Sequence, residues 1–435
     1  MTDISLHQGA GAAPGDRVDW KSGTMAARRK RRYGADSRLR LFGMGAIAFA
    51  LGFLAIFLAT IVYTASSALT QTMIRVEIDL KEANLDPNNL MEADWRAISR
   101  DAYRKLLPGV GRSEEKDYFS LFTNNGQFLI RDAVIRNPAM IGQTVTVVIP
   151  MSDPLDQLAK GLFDRALPED QRRVNDIQID LYDQLVAKGV VSHPFNWGLL
   201  FNNDSRFPEL AGLAGGLVGT FYVVFVCFIL SFPLGIGAAI YLEEFAPKNR
   251  WTDLIEININ NLAAVPSVVF GLLGLAVFIG WFGLPRSVPL VGGMVIALIN
   301  LPTIIIVTRA ALKQVPSSIR EAALGVGASK HEAIFHHMLP LAMPTILTGT
   351  IISLAQAIGE TAPLLLIGMN AFITSAPGGM LDAATTLPTQ IYIWADSPER
   401  GFVARTSAAI VVLLVCLMLM NAIAIFLRQR FERRW

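Results

Sequence analysis

Residues 309–340 read RAALKQVPSSIREAALGVGASKHEAIFHHMLP, a polar stretch set between two apolar runs, 288–307 and 343–369. Its residues favour helix over a bare turn. Glu321 follows Ser318 by three positions, the spacing of an N-cap and its capping-box partner, and Glu321-Ala322-Ala323-Leu324 is a strong helical start. Gly325 and Gly327 then permit a tight turn, and Ser329 with Glu332 repeats the capping-box spacing ahead of Ala333-Ile334-Phe335. Pro340 and Pro344 mark the return to apolar sequence. The stretch is therefore predicted to be helix, glycine turn, helix. Such a bracket passes motion from an external motor into the spans on either side better than a floppy loop does.

Working outward, the apolar runs number six: 41–63, 212–241, 262–284, 288–307, 343–369 and 408–427. Each is long enough to cross roughly 30 Å of hydrocarbon as a helix, and none alternates in polarity as a barrel strand would. The 435 residues are 52% hydrophobic and 17% charged, too apolar for an ordinary water-soluble protein and unlike a disordered or nucleic-acid-wrapping chain. The class predicted is an all-α membrane domain with a soluble insertion. Lys21, Arg28, Arg29, Lys30, Arg31, Arg32, Arg38 and Arg40 precede the first run, which keeps the N-terminus cytoplasmic, and so long a charged leader disfavours a cleaved signal peptide. Six spans return the C-terminus to the same side, where Arg428, Arg430, Arg433 and Arg434 follow the last run. Residues 71–209 then lie outside, with 16 basic and 21 acidic residues. The organisation expected is a basic tail (1–40), a first span (41–63), an external insertion (71–210) and a five-helix core (211–430) that contains the bracket. The insertion reads as mixed α/β or α+β: residues 92–106 suit an amphipathic helix, 144–148 an extended run, and Asn124-Asn125-Gly126 a turn.

Chemistry is sparse. Cys227 and Cys416 sit in separate apolar runs and predict neither a disulfide nor a metal cluster. His331, His336 and His337 lack zinc spacing and read as interface contacts, and the insertion shows no convergent acids and donors of an enzyme. No catalytic or metal residue is assigned. No phosphate-cradling Gly-x-x-x-x-Gly-Lys-Ser/Thr loop occurs, so any ATP and Mg belong to another subunit. Gly212, Gly215, Gly216 and Gly219 predict close helix packing, Pro233 a kink, and Glu243 with Glu244 hydrated charges at the membrane boundary. Glu360 is the costly residue: an ionised carboxylate within a span must face the bundle or a pathway, and Gln356 four positions earlier is placed to hydrogen-bond it.

The bracket resembles the cytoplasmic coupling motif of binding-protein-dependent ABC importer permeases, in Glu321-Ala322-Ala323, Gly327 and the closing Leu339-Pro340; His337 stands where that motif commonly has isoleucine. Pro233-Leu234-Gly235-Ile236-Gly237 through Glu244, and Ala357-Ile358-Gly359-Glu360-Thr361-Ala362-Pro363-Leu364, are similar to segments of the PstA family of phosphate-specific permeases. This resemblance covers residues 210–430 and implies a type I, MetI-like importer fold in a bacterial inner membrane. It also implies phosphate as cargo, a second PstC-like permease, a homodimeric PstB-like ATPase and an external PstS-like phosphate-binding protein. Gln356, Gly359, Glu360 and Thr361 would then belong to a gating or pathway segment, with Gln356 where the family often has arginine. The competing readings are a permease for another oxyanion or small solute, and a membrane enzyme or signalling scaffold built on the insertion.

Overall fold

A computed structural model describes residues 23–81, 85 and 89–431. The start of the basic tail, with Lys21, and the terminal Arg433 and Arg434 lie outside the described residues. Helix α1 (Gly23–Ser66) begins well before the apolar run, because arginine, lysine and alanine are good helix formers and a helix need not stop at the membrane boundary.

The insertion is of the α+β kind. Strand β1 (Met73–Asp79) lies at the centre of a three-stranded antiparallel sheet, between β2 (Thr144–Pro150) and the short β3 (Val191–Ser192). Its register with β2 runs from Met73 opposite Pro150 to Asp79 opposite Thr144. The period of two puts Ile74, Val76 and Ile78 inside and Arg75 and Glu77 outside. Four main helices accompany the sheet: α2 (Trp95–Leu106), α3 (Gly126–Arg136), α4 (Asp153–Ala159) and α5 (Asp176–Ala187). Asp94 caps α2 by accepting from the Ala97 N–H at 2.9 Å, three residues later than the expected start. Asn124 and Asn125 do form a turn, and it opens directly into α3. Tyr103 of α2 stacks on Phe122 at 3.9 Å, closing a core with Ile130, Val134, Ile149 and Leu185.

Among the described residues five helices are long and apolar enough to span a membrane, or six if one sharply bent pair of helices counts as a single span. After α6 (Ala214–Ile240) come α7 (Arg250–Ala263) and α8 (Ser267–Leu273), the latter continued as a wide turn to Trp281. The expected continuous span over 262–284 is thus corrected. α7 and the α8 stretch meet at a 103° bend, because Pro266 has no N–H and pushes Val265 out of the helical region. Helix α9 (Pro289–Gln314) packs on α6 through reciprocal small residues. A Cβ on Gly235 would sit 2.6 Å from Ile304, and one on Gly293 would sit 2.4 Å from Val226. The expected glycine packing also holds for Gly219, where a Cβ would meet the Thr385 carbonyl at 2.0 Å. The bracket contains α10 (Ser317–Gly325), after which α11 (Leu339–Gly359), α12 (Leu387–Ala395) and α13 (Gly401–Phe431) complete the core.

The described residues from Ile61 onward form one compact unit, and the insertion joins the spans through buried charge. Asp156 of α4 accepts from the Thr72 N–H at 2.7 Å and pairs with Lys160. Arg405, in the first turns of α13 and 5% exposed, donates to the Ala211 carbonyl at 2.6 Å. Asp153 lies against Gly401, where any Cβ would fall within 2.5 Å of its carboxylate. Burial, then the neighbouring Glu209, pushes the Asp153 carboxyl up to about 6, while Arg405 pulls the other way. A carboxyl with a raised folded pKa costs stability as pH climbs from its unfolded value near 4 through about 6, and the full cost is present above that. Asp153→Asn is therefore expected to raise the unfolding midpoint of the detergent-solubilised protein at pH 8, by on the order of 2 kcal/mol, and to change it little at pH 4. Equal effects at both pH values in a thermal scan would refute this.

Candidate functional site

The bracket is built by backbone chemistry as much as by side chains. Helix α10 starts at Ser317 behind Pro316, which fixes the entering backbone, so Ser318 lies inside the helix and the expected Ser318–Glu321 capping box does not form. At the other end Gly327 takes φ +93°; its N–H bonds to the Leu324 carbonyl (3.0 Å) and the Ala328 N–H to the Ala323 carbonyl (3.1 Å). This pair is a Schellman motif, with Gly327 at the left-handed position that a Cβ disfavours. The second expected capping box is present: the Ser329 hydroxyl accepts from the Glu332 N–H at 3.2 Å, and Glu332 accepts from the Ser329 N–H at 2.8 Å. A wide turn at Ala333–Met338 leads into α11 at Leu339 and Pro340, where proline cannot return an N–H to the His336 carbonyl.

Two faces result. Ala323 is buried, and Ile334 and Met338 are buried against Ile240, Ala311, Leu312 and Ile346, tying the bracket to α6, α9 and α11. Glu321, Ala322 and Gly327 are exposed, and so are Leu324, Val326 (86%) and Phe335, on which His331 stacks at 4.4 Å. His337 is also exposed, so its replacement of the family's isoleucine leaves the buried face untouched.

Glu243 and Glu244 are not the hydrated boundary charges that the sequence suggested. They close a wide turn at the end of α6 and gather cations from three directions. Arg309 of α9 bridges Glu243 (3.2 Å) and Glu256 of α7 (2.7 Å), and Lys313 adds a longer contact to Glu243 (3.4 Å). Arg320 of α10 pairs with Glu244 (3.1 Å), while Lys330 donates to the Glu244 carbonyl and lies 5.0 Å above the Phe245 ring. The Glu244 carboxylate is only 5% exposed, so its pairing compensates a real desolvation cost. The signal for this clamp was present in sequence as two adjacent acids after one apolar run and the bases Arg309, Lys313, Arg320 and Lys330 in the polar stretch 309–340.

The expected span over 343–369 is interrupted. Helix α11 stops at Gly359 because Pro363 has no N–H for the Gly359 carbonyl, which instead accepts from the Thr361 hydroxyl at 3.3 Å. Glu360 adopts extended backbone, so the i,i+4 geometry with Gln356 is lost, and no hydrogen bond joins the two. Among the described residues Glu360 has no ion-pair partner and is half-buried at the break, whereas Gln356 is exposed. The structure thus brings Gly359, Glu360 and Thr361 together and leaves Gln356 aside. A polar node went unread: Asn300 of α9 donates to the Cys227 sulfur of α6 (3.3 Å) and accepts from Ser353 of α11 (2.8 Å). An amide in the otherwise apolar run 288–307 was its only signal.

Residues 231–435 match the family described as binding-protein-dependent transport system inner membrane component, and residues 26–169 match a domain of unknown function, DUF3333. The chain is 28% identical over 276 residues to the probable ABC transporter permease protein YqgI of Bacillus subtilis, covering 60% of this chain and 91% of that one. It is 31% identical over 226 residues to the phosphate transport system permease protein PstA 1 of Mycobacterium tuberculosis (51% and 72%). With PstA of Yersinia pestis it shares 30% over 234 residues (52% and 76%).

The clamp ranks its own variants. Arg320→Met strands the buried Glu244 carboxylate and is expected to lower the unfolding midpoint, at a cost of about 2–3 kcal/mol. Lys313→Met removes an exposed, longer pair and is expected to cost under about 1 kcal/mol. Equal losses in a thermal scan of the two proteins would contradict this ordering.

Proposed function

The chain belongs to the binding-protein-dependent transport system inner membrane components, of the PstA phosphate-permease type, and on that premise we propose that it conducts inorganic phosphate inward, driven by a separate ATPase. The observation that carries the coupling half of this reading is the bracket, held rigidly on one face by the charge clamp and bare on the other. An ATPase dimer carrying ATP and Mg would seat on the bare face, at Glu321, Ala322, Leu324 and Val326. Gly327, with Leu339 and Pro340, keeps the two helices of the bracket at their angle. Movement there reaches α6, α7 and α9 together, since the clamp joins all three to α10.

In this reading a second permease completes the pathway and an external binding protein delivers phosphate. The termini are cytoplasmic and residues 71–210 face outward. The six apolar runs of the sequence and the arginines beyond the first and the last of them support that orientation. Phosphate crosses without covalent change. The break at Gly359, Glu360 and Thr361 would serve as the gating segment, because exposed backbone at membrane depth is tolerated only where it lines a cavity or is covered by protein. Gln356 bears no charge, and this observation sustains a second reading in which the cargo is a different oxyanion.

Reconstitution with the partner permease, ATPase and binding protein is expected to give ATP-dependent, vectorial uptake of labelled phosphate that other oxyanions compete with poorly. Uptake of another solute by an intact assembly would overturn the cargo. Glu321→Lys is expected to cut uptake about tenfold, within the usual 1–3 kcal/mol of coupling energies, without lowering the thermal midpoint. Undiminished uptake by this variant would remove Glu321 from the coupling face.

A further inference from the structure

A cavity of about 500 Å³ opens where three parts of the chain meet: α3 of the insertion, the segment that leads into α6, and the stretch that follows the Glu360 break. Its lining includes Arg136, Arg206, Asn203, Asp132, Asp204 and Phe372. The charges do not cancel. Asp132 is paired with Arg131 at 2.8 Å, and Asp204 accepts from the Trp394 indole and from the Ser205 N–H, both at 2.9 Å. Arg136 and Arg206 have no carboxylate partner among the described residues. Arg206 is instead held 5.4 Å above the Phe372 ring, which orients the guanidinium without satisfying its donors. Asn203 Oδ1 is buried with no hydrogen-bond partner. It lies 3.7 Å from where a Cβ would stand on Gly215, so the cavity sits over the first turn of α6.

We propose that this cavity is a vestibular binding site for a tetrahedral oxyanion, with Arg136 and Arg206 as its two cationic walls. Guanidinium forks match the oxygens of such an anion, and two unpaired arginines in a concave wall raise its local concentration. The insertion thereby supplies both cations of an anion site at the mouth of the spans, Arg136 from α3 and Arg206 from its last segment before α6. The inference rests on the chain being an oxyanion permease with residues 71–210 outside.

The test is equilibrium dialysis of ³³P-phosphate against the assembled transporter in nanodiscs, without its binding protein. Wild type is compared with Arg136→Gln, Arg206→Gln and the double variant, and with Arg112→Gln to control for net charge. The double variant is expected to bind phosphate about tenfold or more weakly, each single variant less so, with Arg112→Gln unchanged. Equal affinity across all five proteins, or absent binding of any oxyanion to wild type, would overturn the site. Binding that fell in every variant including Arg112→Gln would reduce it to bulk electrostatics and overturn it too. With unlabelled sulfate added as competitor, sulfate bound in preference to phosphate, and dependent on both arginines, would keep the anion site while overturning the phosphate cargo.

Discussion

Hydrocarbon offers a peptide group no hydrogen-bond partner, so every interruption of a spanning helix has to be covered by the protein itself. Two interruptions set the shape of this core. At 264–266 a proline turns α8 through 103° from α7, and at 359–361 a proline four residues downstream of Gly359 ends α11 early. The two are in contact: a Cβ on Gly271 of α8 would lie 2.7 Å from Pro363, so the piece after one break covers the piece after the other. The tight glycine contacts between α6 and α9 hold the remaining spans close enough for this cover to persist.

Polar side chains take over where small residues stop. Asn300 links three spans at mid-length through a sulfur and a hydroxyl, and the Glu243–Glu244 clamp links four elements at one end through paired charge. Neither group is free to move alone. A displacement of α10 meets a buried carboxylate within 3.1 Å, and the penalty for stranding that charge makes the bracket and the end of α6 travel as one body.

Much of this was legible. The polar stretch between two apolar runs carried the helix–turn–helix bracket, because Gly327 and the Ser329–Glu332 spacing report local backbone requirements that tertiary context does not change. Ser318 misled because a proline two residues earlier outranked it as the helix start. The unbroken reading of 262–284 and 343–369 failed for a related reason: hydropathy counts side chains, whereas the breaks come from missing backbone donors at Pro266 and Pro363. The cations paired with Glu243 and Glu244 lie 66 to 76 residues away along the chain and emerge only once the spans are packed. For the candidate site, the turn at Gly327 and the break after Gly359 fall in stretches that the sequence singled out, and Gln356 lies apart from that break.

Asp153 against Gly401 changes what the insertion is. A domain that merely hangs from two spans can be removed and leave them whole. Here a carboxylate from the insertion occupies the space over the first residue of the last span, beside a guanidinium buried within the same turns. Excising residues 71–210 would retain every apolar run and still strip Arg405 of the acids around it, leaving an uncompensated cation where α13 starts. The insertion is thus a structural subunit of the membrane core rather than cargo attached to it, and a minimal transporter made from the spans alone would inherit a defect at a site none of its own sequence reveals.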